Sequence, residues 1–172
     1  MKIMGVVLIL VVIVLVGCPK ETWEEFSSSR GGFSVILPSI PQKEKYTGGT
    51  PFGEVTVHMF SVEYGGIVYL VGYSDYPDSV VETRSAEEIL NSARDGSLAA
   101  LEGKLLSEES ITCEEYPGKM VKIEPKDGTL LYQSRIYLVK GRVYQTAVIS
   151  SVEKAGIDEV KNFMDSFRLN RG

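Results

Sequence analysis

Residues 129–150 read TLLYQSRIYLV-KG-RVYQTAVIS, and the fold turns on this stretch. Thr129 to Val139 and Arg142 to Ser150 are rich in β-branched and aromatic residues and meet across Lys140-Gly141. Two such runs joined by a two-residue turn predict an antiparallel hairpin. In the first run Leu130, Tyr132, Ile136 and Leu138 face one way, while Leu131, Tyr137 and Val139 face the other. Side chains alternate across a strand, so a sheet with one wet face would be polar at every second position. This one is apolar on both, and both faces are expected to be covered.

The same pattern extends outward. Phe33 to Leu37 forms a short apolar run closed by Pro38 and Pro41, and Glu54 to Tyr64 meets Ile67 to Asp75 across Gly65-Gly66. Lys104 to Glu115 is expected to meet Met120 to Glu124 across Pro117-Gly118, with Asp127-Gly128 leading into the central hairpin. Two segments leave the two-residue period. Ser85-Ala86-Glu87-Glu88 is a capping box, in which the hydroxyl and the carboxylate each satisfy a free N–H at a helix start. It predicts a helix over Ala86–Glu102 with Ile89, Leu90, Ala93, Ser97, Ala100 and Leu101 on one face, and Gly103 as a left-handed stop. A second apolar stripe, Ile157, Val160, Phe163, Met164 and Phe167, predicts a helix ending near Phe167. The expected architecture is α+β: an α/β/α sandwich with a largely antiparallel sheet of about seven strands and one helix on each face. It spans residues 33–169. Stretches 43–53 and 75–84 read as the longest irregular loops.

Upstream, Lys2 precedes an apolar run from Ile3 to Val16 that ends in Leu15-Val16-Gly17-Cys18. At ~1.5 Å per residue the run covers about 21 Å, short of a ~30 Å hydrocarbon core, which suits a secretory signal rather than a membrane span. Residues 1–17 are therefore expected to be a lipoprotein signal peptide. Cleavage between Gly17 and Cys18 would leave Cys18 acylated at the new N-terminus, and two or three acyl chains anchor stably where one does not. Residues 18–32 are read as a tether, although Trp23 and Phe26 suggest that it docks on the domain. The expected location is the extracytoplasmic side of the cell membrane or outer membrane.

The 172 residues suit one domain, and 18 basic against 23 acidic side chains (net -5) argue against a nucleic-acid partner. With Cys18 lipidated, Cys113 has no partner for a disulfide. His58 is the only histidine, so a multi-ligand metal site is not expected. A Cys113–His58 pair would be the one conceivable nucleophile. No nucleophile elbow, phosphate-binding loop or dinucleotide fingerprint occurs. The chain is read as a non-enzyme without cofactor or catalytic residues. Tyr46, Tyr76 and Tyr116, which sit beside turn-rich stretches, are the candidate binding residues. Arg135, in mid-strand on a covered sheet, needs a carboxylate. Asp75, beside Pro77, is the preferred partner, with Glu63 as the other acid considered.

Several motifs occur in a fixed order: Phe33-x-Val35-x-Leu37-Pro38, Val71-x-Tyr73-x-Asp75-x-Pro77, the capped helix, and then Pro117-Gly118 and Asp127-Gly128. Arg135-x-Tyr137-Leu138-Val139, Arg142-Val143-Tyr144-Gln145 and Phe163-x-x-Ser166-Phe167 complete the series. Together they resemble the PsbP-like superfamily, and within it the DcrB-type bacterial lipoproteins. That resemblance implies the same sandwich and a binding or accessory role, and it carries no catalytic motif. The expectation is a membrane-anchored, non-enzymatic module serving an unknown protein partner of the envelope. The alternative is a lipid or lipoprotein carrier, marked by an apolar cavity between sheet and helix.

Overall fold

A computed structural model describes residues 23–170. Its main element is a seven-stranded sheet in which every neighbouring pair is antiparallel. Strands β1 (Glu24–Ser28) and β2 (Phe33–Leu37) belong to a smaller sheet, and β3 (Gln42–Thr50), β4 (Gly53–Tyr64) and β5 (Ile67–Asp75) form a meander. Helices α1 (Asp78–Thr83) and α2 (Ala86–Ala100) carry the chain over the sheet to its far edge. From there β6 (Lys104–Cys113), β7 (Tyr116–Glu124), β8 (Leu130–Val139) and β9 (Arg142–Ser151) step back, so that β9 closes the sheet against β5. Helix α3 (Asp158–Ser166) leads to β10 (Arg168–Leu169), which pairs with β2.

The two faces of the sheet hold separate cores. Tyr69, Val71, Tyr73, Tyr144 and Val148 pack against β2 and against Val160, Phe163 and Met164 of α3. The opposite face, with Val121, Ile123, Ile136, Val143 and Ala147, packs under Ile89 and Leu90 of α2 and Val80 of α1. The expected sandwich, with one long helix on each face, is what the chain forms. Among the described residues no helix is long and apolar enough to cross a membrane.

Several local expectations are corrected. The stretch 43–53 is not a loop: residues 42–50 form the edge strand β3, exposed along 42–47 and bearing Lys43 and Lys45, a common way to protect an open sheet edge. Stretch 75–84 contains α1. Residues 24–28, read as tether, form β1 on the outer side of β2. Trp23 stands edge-on to Tyr69 at 5.5 Å, and Phe26 lies 5.0 Å from Phe60. The β6–β7 turn falls at Glu114-Glu115, where Glu114 takes φ +53°, and Pro117-Gly118 lie inside β7. A Cβ on Gly118 would stand 2.5 Å from the Ile136 carbonyl, so glycine there lets β7 and β8 approach. The left-handed residue after α2 is Glu102 (φ +44°), not Gly103, whose missing side chain makes room for Ile123.

Candidate functional site

Helix α2 begins with large apolar anchors and continues with small residues. Ile89 and Leu90 are almost fully buried (1% and 3% exposed) and fix the first turn to the sheet. While Leu98 and Leu101 pack on the core, the positions one and two turns on that line the space beneath the helix are Ser92, Ala93, Gly96, Ser97 and Ala100. None reaches far enough to fill the space beneath. The sheet opposite is also small at Gly72 and Ser74 of β5 and Gly48 of β3. The helix touches β7 and β8 as well as β3, and so roofs the strands between. A cavity of about 380 Å³ remains, walled by Val55, Val57, Met59, Leu70, Val143 and Ile149. Exposed Tyr46 and Gly49 of β3 and Gly96 and Ala100 of α2 line its open side. An enclosed apolar void of about 150 Å³ already admits benzene, and ligand sites start near 300 Å³.

A polar cluster centred on Gln145 interrupts the apolar wall. Gln145 of β9 directs Nε2 at the hydroxyls of Tyr132 (2.6 Å), Ser97 (3.1 Å) and Ser134 (3.1 Å). The Ser97 hydroxyl donates to the Ala93 carbonyl at 3.2 Å. Burial pushes the Tyr132 phenol up, so that it stays neutral. An apolar chamber with a few convergent neutral polar groups is the usual form of a small-ligand site.

No family model and no curated protein matches the chain. Among solved structures it is similar to the solution structure of cyanobacterial PsbP (CyanoP) from Synechocystis sp. PCC 6803. The TM-score is 0.58 at 14% identity, over 89% of this chain and 95% of that one. The fold is PsbP-like. A second likeness, to the crystal structure of a protein of unknown function (PA94, putative regulator) from Pseudomonas aeruginosa, has TM-score 0.38 and 10% identity. It covers 77% of this chain and 85% of that chain, and carries no argument.

Within the PsbP-like fold the three candidate tyrosines part company. Tyr46 is half-exposed at the mouth of the cavity, and Tyr76 is buried in its wall. Burial raises the Tyr76 phenol. Tyr116 lies elsewhere, in a polar groove of about 630 Å³ with Asp78, Lys140 and Arg142. Gly17 and Cys18 lie outside the described residues. Gln145 and Ser97 were not singled out as binding residues. Gln145 stood in the Arg142-Val143-Tyr144-Gln145 motif, but only the strand order shows that it meets Tyr132 and α2.

The Asp75–Arg135 pair is not formed. Asp75 sits directly opposite Arg142 in the β5–β9 register and takes a two-pronged ion pair from it, Nε to Oδ1 at 2.5 Å and NH2 to Oδ2 at 2.9 Å. The Arg142 guanidinium also lies 4.6 Å from the Tyr73 ring centre and donates from NH1 to the carbonyls of Arg30 and Gly31, both at 3.0 Å. Arg135 instead bonds the Met164 carbonyl (2.8 Å) and Asp165 (2.7 Å), placing a cation at the C-terminal end of α3, where the helix dipole favours it.

His58 stacks on Tyr73 at 4.6 Å. Cys113 lies on the far edge strand, five strand steps from β4 in the sheet order, roughly 24 Å at ~4.8 Å per step. Burial, with Glu114 and Glu115 nearby, raises the Cys113 thiol above its ordinary value, away from the thiolate a nucleophile needs. The two form no pair. No group of three or more metal-ligating side chains occurs among the described residues.

Proposed function

We propose that the chain is a non-enzymatic binding module, a DcrB-type lipoprotein anchored through Cys18 on the extracytoplasmic side of a membrane, whose ligand site is the cavity beneath α2. The observation that carries this reading is the 380 Å³ apolar chamber itself, roofed by small residues and holding a neutral polar cluster at Gln145. A helix meant only to close a core would place Leu or Ile where Ala93 and Ser97 stand. The reading therefore favours a carrier or sensor of small apolar molecules over a purely structural accessory domain. The anchor rests on the apolar run into Leu15-Val16-Gly17-Cys18. Its acyl chains would hold the cavity close to a membrane that stores such molecules.

The test is binding of a neutral apolar fluorophore, N-phenylnaphthylamine, to the full chain. Saturable fluorescence is expected, and Ala93→Leu, which fills the cavity from its roof, is expected to abolish it while the fold still melts cooperatively. Saturable binding that survives Ala93→Leu unchanged would contradict the assignment. In a bacterial host Cys18→Ala should leave the precursor unlabelled by lipid and uncleaved; normal labelling would remove the anchor from the reading. A protein partner is the second reading, favoured by the polar groove beside Tyr116. It expects Tyr116→Arg to lose an in-cell crosslink without changing fluorophore binding.

A further inference from the structure

We infer that the cavity selects an uncharged amphiphile of about a dozen heavy atoms, seated with a hydroxyl group against the side-chain carbonyl oxygen of Gln145. The inference rests on the reading of this cavity as the ligand site, and adds to it the class of ligand.

Three observations lead there. The first is size. At ~30 Å³ per heavy atom, the share of a water molecule in the liquid, a chamber of about 380 Å³ holds roughly a dozen such atoms. The second is charge. None of the side chains lining the chamber is acidic, basic or a histidine. A carboxylate or ammonium head seated inside, against Gln145, would leave water without a counter-charge, a desolvation that apolar contacts of this size do not offset.

The third is the hydrogen-bonding state of Gln145. Its amide nitrogen has two protons for three oxygens, those of Tyr132, Ser134 and Ser97, so the donor end of the side chain is fully engaged. Its carbonyl oxygen has no hydrogen-bond partner among the described residues. It is also absent from the buried polar atoms that lack one, so it retains accessible surface on a residue that lines the cavity. A hydroxyl donates to that oxygen and takes the place of water there. A ketone or a carboxylate, acceptor-only, has no proton to give it.

The experiment is displacement of N-phenylnaphthylamine from the full chain by three ligands of matched length: decanol, methyl octyl ketone and decanoate. Decanol is expected to compete at concentrations about tenfold below the ketone, with decanoate weaker still, in the unmodified protein. Gln145→Leu should bring decanol to within about twofold of the ketone, because the leucine keeps the bulk and removes the acceptor. The wild-type ranking stands as a test even if that variant folds poorly. Decanoate competing as well as decanol, at a site that Ala93→Leu closes, would overturn the inference and leave the ligand site standing. Absence of any binding sensitive to Ala93→Leu would remove the site and the inference with it.

Discussion

Arg142 of β9 ties two other parts of the chain together: β5, through Asp75 and the ring of Tyr73, and the turn after β1, through the carbonyls of Arg30 and Gly31. The guanidinium is 27% exposed and Asp75 is 59% exposed, so the ion pair is partly screened by solvent. Asp75→Asn is expected to cost about 1–2 kcal/mol in a denaturant melt, and Arg142→Ala about 2–3 kcal/mol, because it also removes the bonds to the carbonyls of Arg30 and Gly31, of which Gly31 keeps the Tyr144 hydroxyl. Arg135→Ala, whose acid Asp165 is 65% exposed, should cost only about 1 kcal/mol. A loss for Arg135→Ala larger than for Arg142→Ala would contradict this ordering. The need of Arg135 for a carboxylate was legible in the sequence, and so was the position of Asp75 at a strand end. The pairing was not, because Asp75 meets Arg142 through a β5–β9 contact that only the complete strand order reveals.

Glu108 makes the stability of the fold depend on pH. It sits between Arg94 and nearly buried Lys119, each at 2.5 Å. Burial alone would raise its carboxyl, but hydrogen bonds from Arg94 and Lys119 outweigh that and hold it below the ordinary carboxylate value. A carboxyl lowered on folding contributes stability that is complete above its unfolded value, about 4.5, and is lost as pH falls through the folded one. Near neutral pH, Glu108→Gln should therefore destabilise by about 2 kcal/mol, since it leaves Lys119 unpaired. The gap from wild type should close as the pH drops below about 4.5. A gap that widens in acid would reverse the sign of this account.

Helix α2 combines an orthodox start with an unusual middle. Its Ser85–Glu88 capping box forms as the sequence indicates, with the Ser85 hydroxyl accepting from the Glu88 N–H at 3.2 Å and the Glu88 carboxylate accepting from the Ser85 N–H at 2.9 Å. Ser85→Ala should cost about 1 kcal/mol. Gly96 has no atom within 4 Å of where a Cβ would stand, so Gly96→Ala should gain most of the ~1 kcal/mol that glycine forfeits in a helix. A loss of stability there would mean that the space is not open. The same stripe, Ala93, Ser97 and Ala100, read from sequence as a core-facing surface. Periodicity reports which way side chains face, but it does not report whether the sheet rises to meet them. That is why the helix was visible and the cavity was not. β3 was missed for a related reason: an exposed edge strand needs no apolar alternation, and KEKYTGG shows none.

The whole molecule is two meanders, β3–β5 and β6–β9, joined over the top by α1 and α2 and sealed where β5 meets β9. Apolar residues on both sides of the central hairpin were enough to predict the sandwich, because a strand buried on both faces has to be covered twice. The N-terminal limit was set too late. β1 belongs to the small sheet, with Phe26 against Phe33 and Phe60, and Phe33 itself is wholly buried. A chain starting at residue 33 should consequently melt several degrees below one starting at residue 22, since it loses β1 and the packing of Trp23 and Phe26. Equal melting temperatures would show that β1 adds nothing to the fold. The central claim, that the space under α2 is a ligand site, is tested most directly by amide-resolved NMR of the full chain titrated with decanol. Saturable shifts are expected, confined to residues 92–101 of α2 and its flank and to Leu70–Ser74, Tyr132 and Val143–Ile149, the strand segments beneath it. Saturable shifts centred on the groove at Tyr116, or on the opposite face around α3, with the amides of α2 unmoved, would contradict it.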